Sequence, residues 1–304
     1  MDNIRVSNKF DKNNDFNLIY SDAFKVLSKI PDNFADHCIT DPPYNISGYD
    51  SKKEIGWLKS NKYWKENKNF NKIEENWDKF SNDDYDRFTK LWLDEIFRIL
   101  KPNGNIIIFG SYHNIYKIGH YLQQNDRKII NSIVWYKRNA FPNITQRMLC
   151  ESTEHMIWAV NETEKKAKNW IFNYEELKKY NTLKECTGCN RSFDFEYKYC
   201  PYCGGKTFKI RKLQLRNMWD VPSTGSSERQ FGKHPSQKPV DVLERLIIGG
   251  TNKEDIIIDP FLGSGTTAVV AKNLGRKFIG IDSNKEYCSI ALQRLNSGYQ
   301  KNMI

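Results

Sequence analysis

Asp259-Pro260-Phe261-Leu262-Gly263-Ser264-Gly265-Thr266-Thr267 is the stretch on which the fold turns. It follows the apolar triplet Ile256-Ile257-Ile258 and opens a helical segment running to Leu274. The strand Phe278-Ile279-Gly280-Ile281 comes next and ends at an acid, Asp282, before a last helix over about Lys285 to Leu295. Glycines spaced as Gly263 and Gly265, between a strand and a helix, let a ligand approach bare backbone where the helix N-terminus favours negative charge. An acid closing the following strand can accept hydrogen bonds from ribose hydroxyls. This pattern predicts a nucleoside-binding crevice. A nicotinamide site normally opens its domain, however, and only about forty residues follow Gly265. The sheet must therefore be completed by strands from the other end of the chain.

Those strands are legible. Phe16–Tyr20 reads as a strand, with Ser21-Asp22 placed to cap a helix over residues 23–27. Residues 35–40 form a second strand, stopped by Asp41-Pro42-Pro43-Tyr44. Apolar residues at helical spacing (Phe88, Leu91, Trp92, Ile96, Ile99) predict a helix from 84 to 100. Strands are expected at 105–109, 129–136 and 154–160, with a helix near 112–124. Another helix follows Pro239. Strand–helix alternation at both ends argues an α/β fold whose sheet is mixed but mostly parallel. Residues 45–82, rich in Lys and Asn and punctuated by Trp57, Trp64 and Trp77, read as a long loop.

The Asp41-Pro42-Pro43-Tyr44 corner lies at the same sheet edge as the glycine turn. Two prolines stiffen the backbone, a carboxylate is presented on it, and an aromatic ring follows. That set suits a planar ring bearing an amino group: Asp41 and the Pro42 carbonyl accept from the amine, and Tyr44 stacks on the ring.

Four stretches, in order, carry a family resemblance: Tyr20-Ser21-Asp22-Ala23, Asp41-Pro42-Pro43-Tyr44, His234-Pro235-Ser236-Gln237-Lys238-Pro239 and the glycine turn, with Gly280-Ile281-Asp282 completing the set. The chain resembles amino-methylating DNA methyltransferases dependent on S-adenosylmethionine, of the group in which Asp-Pro-Pro-Tyr precedes the glycine turn. The resemblance covers roughly 16–160 and 217–296 and implies a Rossmann-like methyltransferase fold. It also implies roles. Phe261, Gly263, Gly265 and Thr266 would surround the methionine part of the cofactor, Asp282 its ribose, and Asp22 its adenine. His234, Pro235 and Lys238 would close the site, while Asp41, Pro42, Pro43 and Tyr44 would hold a flipped base. Acceptors at Asp41 and Pro42 favour a pyramidal amine nitrogen, so that methyl transfer proceeds in line without a covalent intermediate. A carbon-5 cytosine enzyme would need a nucleophilic cysteine after proline, and no Pro-Cys dipeptide occurs. Asp41 at the first corner position resembles adenine-modifying members; cytosine N4 is the alternative.

Between the two matching regions lies an insert of different composition. Residues 161–216 hold 13 Lys+Arg and 7 Asp+Glu, a net of +6 out of the chain's +10. They also hold Cys186-x2-Cys189-x10-Cys200-x2-Cys203, the ligand spacing of a structural Zn2+ site, with glycines at 188, 204 and 205 to allow the turns. The expected organisation is a catalytic half (1–160), an inserted zinc-ribbon-like recognition region (161–216) and a cofactor-binding half (217–304). The basic excess suits double-stranded DNA as partner. A zinc-ribbon DNA-binding protein without catalysis would explain the insert but leave the motifs at both ends unexplained. A cognate restriction endonuclease and a homodimer are further expectations from the resemblance, and no residue pattern specifies an interface for either. Cys38, Cys150 and Cys288 read as small buried residues.

With 304 residues, 39% hydrophobic and 13% aromatic, the chain can bury a sizeable core, and a mean hydropathy of -0.71 implies a polar surface. The start, Met1-Asp2-Asn3-Ile4-Arg5, lacks the apolar run of a signal peptide, and no apolar stretch is long enough to span a membrane. Together with seven cysteines, an odd number, this makes a cytoplasmic protein with reduced thiols the expectation.

Overall fold

The computed structural model of the chain describes residues 4–46, 80–143, 146–194, 197–232 and 234–297. Most of the expected loop at 45–82, with Trp57, Trp64 and Trp77, lies outside the described residues. The first half comprises β1 (Val6–Ser7), β2 (Phe16–Tyr20), α1 (Ala23–Leu27), β3 (His37–Thr40), α2 (Asn82–Ile99), β4 (Asn105–Gly110), α3 (Ile115–Gln124), β5 (Arg127–Tyr136) and β6 (Thr153–Thr163). The second comprises α4 (Tyr174–Leu177), β7 (Thr182–Cys186), β8 (Ser192–Phe193), β9 (Phe208–Lys212), β10 (Met218–Asp220), α5 (Val240–Gly250), β11 (Ile256–Asp259), α6 (Thr266–Asn273), β12 (Lys277–Asp282) and α7 (Lys285–Asn296).

Nine strands form one sheet in the order β1-β2-β12-β11-β3-β4-β6-β5-β10. Every neighbouring pair is parallel except those made by β6, which runs against both β4 and β5. The sheet is thus mixed and mostly parallel, and it joins strands from the two ends of the sequence: β12 pairs with β2, and β11 with β3.

The central strands are near-continuous apolar runs because helices cover both faces. Along β4, Ile106 and Ile108 enter the cluster formed with Trp92, Leu93 and Ile96 of α2 and Ile118 of α3. Ile107 and Phe109 point the other way, into the cluster with Leu243 and Leu246 of α5, Val269 of α6 and Ala291 of α7. This is the period-two alternation of a strand, here apolar on both sides. Helix α2 turns Tyr85, Thr89, Trp92, Leu93, Ile96 and Ile99 inward, and its start is capped by Ser81, whose hydroxyl accepts from the Asp84 amide at 3.1 Å.

A separate three-stranded antiparallel sheet, β8-β7-β9, spans residues 182–212. Its base is tied off by the Leu213 amide donating to the Asn181 carbonyl at 2.8 Å. The residues preceding it belong with the main sheet: Leu177 of α4 packs against Gly249 of α5, and the Asn173 side chain donates to the carbonyls of Ile248 and Thr251. Cys38 and Cys288 are buried as expected, but Cys150 is exposed. It lies in the β5–β6 connection, outside the covered faces of the sheet, with Sγ 2.8 Å from the Phe141 carbonyl. No helix among the described residues is long and apolar enough to cross a membrane.

Candidate active site

At the carboxyl edge of the parallel strands an acid follows or ends each of four: Asp22 after β2, Asp41 after β3, Asp259 on β11 and Asp282 on β12. Register makes them neighbours, since Asp282 pairs with Tyr20 and Asp259 with Gly280. Buried Asp259 braces the edge: it accepts from the Thr40 hydroxyl at 2.7 Å and the Phe261 amide at 3.1 Å. Burial pushes its carboxyl up to about 7.

The glycine turn is built on β11. Gly263 takes φ +52° and donates its amide to Asp282 Oδ2 at 2.8 Å, while Asp282 Oδ1 accepts from the Asn284 amide at 2.7 Å. A Cβ on Gly263 would stand 3.0 Å from His234 Nε2, so glycine is what admits the histidine. Burial raises the Asp282 carboxyl to about 6, and the same cause, followed by Lys238 and Arg294, lowers His234 to about 3, leaving its ring neutral. From α7, buried Arg294 donates to the Ser264 carbonyl, the Ser264 hydroxyl and the Thr266 hydroxyl at 2.8–3.1 Å. One cleft of about 930 Å³ is bounded by Asp22, Phe24, Phe261, Gly263, Asp282 and Tyr287 among others. Asp22 also caps α1, accepting from the Lys25 amide at 3.1 Å.

The donor set fits a cofactor with a nucleoside and a charged amino-acid tail. Each Asp282 oxygen keeps a lone pair beyond its backbone bond and aromatic rings flank the cleft; His234, whose Nδ1 is buried without a partner among the described residues, lines the adjoining cleft.

A second cleft of about 750 Å³ shares Phe261 and Gly263 with the first and opens onto Asp41, Tyr44, Ile46 and Lys238. Pro43 is pinned from below, its carbonyl accepting from the Tyr85 hydroxyl at 2.7 Å. Lys238, expected at the cofactor, sits against the corner: Nζ lies 2.5 Å from Asp41 Oδ2 and donates to the Ser236 carbonyl at 2.9 Å. The Tyr44 hydroxyl donates to Asp41 Oδ1 at 2.6 Å. Burial lifts the Asp41 carboxyl above its usual value, although Lys238 opposes the lift. Pro235 and Thr266 line this cleft as well, and Gly265 sets the start of α6 beneath it.

The four cysteines converge at the β7 end of the small sheet. Their Sγ atoms all lie within 4.8 Å of one another, with Cys186–Cys203 and Cys189–Cys200 each at 3.6 Å. A disulfide would bring sulfurs to ~2.05 Å, whereas Zn–S bonds of ~2.3 Å in a tetrahedron set them roughly 3.8 Å apart. The thiols therefore fit a four-coordinate zinc. Gly205 permits the closure, since a Cβ there would lie 3.2 Å from Cys186 Sγ.

Sequence reasoning missed Glu154, Lys137 and Arg294. Glu154 and Lys137 lie at the ends of strands flanking the β5–β6 connection, where an isolated charge is ordinarily solvated. A signal for Arg294 exists: it falls among Ile290, Ala291 and Leu295 on the apolar face of the last helix, where a charge needs buried partners.

A family model described as DNA methylase, of the N6/N4 type, matches residues 35–293. The Type II methyltransferase M2.LlaDCHI of Lactococcus lactis subsp. cremoris is 38% identical over 283 residues, covering 92% of this chain and 89% of that protein. The Type II methyltransferase M2.DpnII of Streptococcus pneumoniae is 37% identical over 287 residues, covering 94% and 91%. Among solved structures, the M1.HpyAVI–SAM complex matches with a TM-score of 0.57 and 28% identity over 91% of this chain and 97% of that one. The cytosine-N4-specific PvuII DNA methyltransferase matches with a TM-score of 0.60 over 94% and 86%, and at 16% identity it shares the fold.

Proposed function

This chain belongs to the N6/N4 DNA methylase family, and from that premise we propose that it transfers a methyl group from S-adenosylmethionine to N6 of an adenine flipped out of double-stranded DNA. The observation that carries this reading is the pair of clefts meeting at Phe261 and Gly263, with Asp282 and Asp22 on one side and Asp41 and Tyr44 on the other. A reacting methyl held at that junction lies between a nucleoside site and an amine site.

S-adenosylmethionine, when bound, supplies an electrophilic methyl on a positively charged sulfur. The protein's part is positioning. Asp282 and Asp22 take the nucleoside hydroxyls and base edge, and the turn from Phe261 to Thr266, supported from below by Arg294, receives the remainder. At the corner, Asp41 and the Pro42 carbonyl accept the two amine hydrogens, which draws the nitrogen lone pair out of conjugation and toward the methyl. Tyr44 supports the ring face. As nitrogen gains the methyl it sheds a proton, and Asp41, lifted by burial, is the acceptor in contact with it. Adenine is favoured over cytosine by the resemblance of the Asp41 corner to adenine-modifying members.

The chain is organised as two halves of one catalytic domain with a recognition region between them; of the expected 161–216, the separate β8-β7-β9 sheet carries that role, since the residues before β7 pack on α5. Cys186, Cys189, Cys200 and Cys203 hold a structural zinc that closes the β7–β9 sheet, and exposed Lys206, Lys209, Arg211 and Lys212 beside it meet DNA phosphates. Arg191 stacked 3.8 Å over the Tyr202 ring adds a planar cationic surface to the same module.

The test is incubation with unmethylated DNA and labelled S-adenosylmethionine, followed by digestion to nucleosides. N6-methyldeoxyadenosine is expected. N4-methyldeoxycytidine would overturn the base assignment, and no incorporation by folded protein would overturn the activity.

A further inference from the structure

Glu154 reaches the catalytic edge without belonging to any of the sequence motifs. Because β6 runs against its neighbours, its first residues arrive where the parallel strands end: His155 pairs with Gly110 of β4 and Thr153 with Tyr136 of β5. The Glu154 side chain is 17% exposed, and Oε1 accepts from Lys137 Nζ at 3.3 Å. Oε2 lies 3.2 Å from the Tyr44 hydroxyl and 3.4 Å from Lys238 Nζ.

Those two groups are the donors that occupy Asp41, at 2.6 Å on Oδ1 and 2.5 Å on Oδ2. This creates a conflict for the reaction. Each Asp41 oxygen keeps a further lone pair, but the amine hydrogen assigned to Asp41 is a third donor on a carboxylate already engaged by a phenol and an ammonium, and Tyr44 has one hydroxyl hydrogen to give. A donor loosened from Asp41 with no other acceptor would leave a phenol or an ammonium short of a partner in a buried site, which is unfavourable. Glu154 offers each a second acceptor within a small shift.

We propose that Glu154 is a positioning residue that shares the Tyr44 hydroxyl and the Lys238 ammonium with Asp41 and takes up whichever is loosened when the target amine donates to Asp41. The proposal rests on the methyl-transfer reading of this site. Lys137 holds Glu154 ready. Burial alone would raise the Glu154 carboxyl, but Lys238 and Lys137 more than offset it and set it below its usual range, so it is ionised at neutral pH. The charged and titratable groups facing Asp41 are Lys238 from the segment before α5, Tyr44 from its own corner, Glu154 from β6 and Asp259 from β11. Of these, Glu154 pushes the Asp41 carboxyl up through its negative charge.

Glu154→Gln keeps the side-chain volume and removes the charge. With Tyr44 and Lys238 left on Asp41, kcat is expected to fall on the order of a hundredfold. The Kd for S-adenosylmethionine should hold, because Glu154 does not line the cleft of Asp282. The acidic limb of the kcat–pH profile should move to lower pH, since the charge that raises Asp41 is gone. Glu154→Asp retains the charge on a shorter arm, so its acidic limb should stay at the wild-type position while its kcat falls between the two. A wild-type kcat in Glu154→Gln would overturn the proposal, as would a loss of rate with an unmoved acidic limb or with weakened cofactor binding. If Glu154→Gln does not fold, a displaced acidic limb in Glu154→Asp overturns it instead. A wild-type protein that transfers no methyl group is a separate outcome, read in the same assay, and refutes the methyl-transfer reading itself.

Discussion

Replacing Gly265 with alanine tests the cofactor turn through two physical effects at once. The residue sits at φ +74°, and a Cβ built there would stand 2.5 Å from Ala291 Cβ and 3.1 Å from Ala291 Cα on α7. Left-handed backbone costs an L side chain roughly 1–2 kcal/mol. The contact adds an overpacking penalty of about 1–3 kcal/mol, because alanine has no rotamer to swing aside and the other atom is backbone. The sum, about 2–5 kcal/mol, is a large part of a typical total stability of ~5–15 kcal/mol. At ~2–4 °C per kcal/mol for a large domain, the expected fall in Tm is roughly 4–20 °C. Gly275 supplies the control. It has φ +73° but nothing within 4 Å of a built Cβ, so Gly275→Ala meets the backbone cost alone. Thermal unfolding of both variants, with calorimetric titration of S-adenosylmethionine, separates the effects: Gly265→Ala should melt lower and bind more weakly, Gly275→Ala should bind normally. Equal melting temperatures for the two would refute the close packing of the turn on α7.

Asp41→Ala should abolish methyl transfer while leaving cofactor affinity little changed, because Asp41 lines the amine cleft and not the Asp282 cleft; a variant that methylates normally would remove Asp41 from the mechanism. The Asp282 carboxyl, raised by burial from 3.8 to about 6, must be ionised to accept ribose hydroxyls, so the Kd for S-adenosylmethionine should weaken as pH falls through about 6, and Asp282→Asn should bind weakly with no such dependence. Between pH 3.8 and about 6 the cofactor-free fold binds the proton at Asp282 more tightly than the unfolded chain does, so this group's contribution to stability declines as pH rises through that window. Metal analysis should find one zinc per chain, and Cys200→Ser should lose it together with DNA affinity while cofactor binding persists; folded wild-type protein free of zinc would refute the metal assignment.

The strands and helices that build the edge were legible because their apolar periods are strong and their ends are marked. Thr40 gives way to two prolines, and β11 ends in a glycine turn, so Asp41 and the Gly263–Gly265 pair could be placed from local pattern alone. The β1 and β10 edges escaped notice, since two- and three-residue strands carry no period. Cys150 is exposed against expectation because a lone cysteine says nothing of burial until its segment is known to be a connection. Within the insert, cysteine spacing located the four-thiol cluster, but only the hydrogen bonds of Asn173 showed that the residues before β7 rest on α5.

The sequence by itself determined which residues gather at the carboxyl edge of the sheet, because the glycine turn, the acid-ended strands and the stiffened corner are local consequences of backbone sterics and strand geometry. Tertiary structure alone decided how Asp41 is held. Tyr44 is a neighbour in sequence, but Lys238, which donates to Asp41, lies 197 positions away, and Glu154, whose charge raises it, lies 113 positions away. For Glu154 the reversal of β6 is the physical reason: a strand entering from the opposite direction delivers its first residues, not its last, to the carboxyl edge of the parallel strands. The resulting cluster of two carboxylates, two ammonium groups and a phenol exists only in the folded sheet, where burial makes each charge depend on the others.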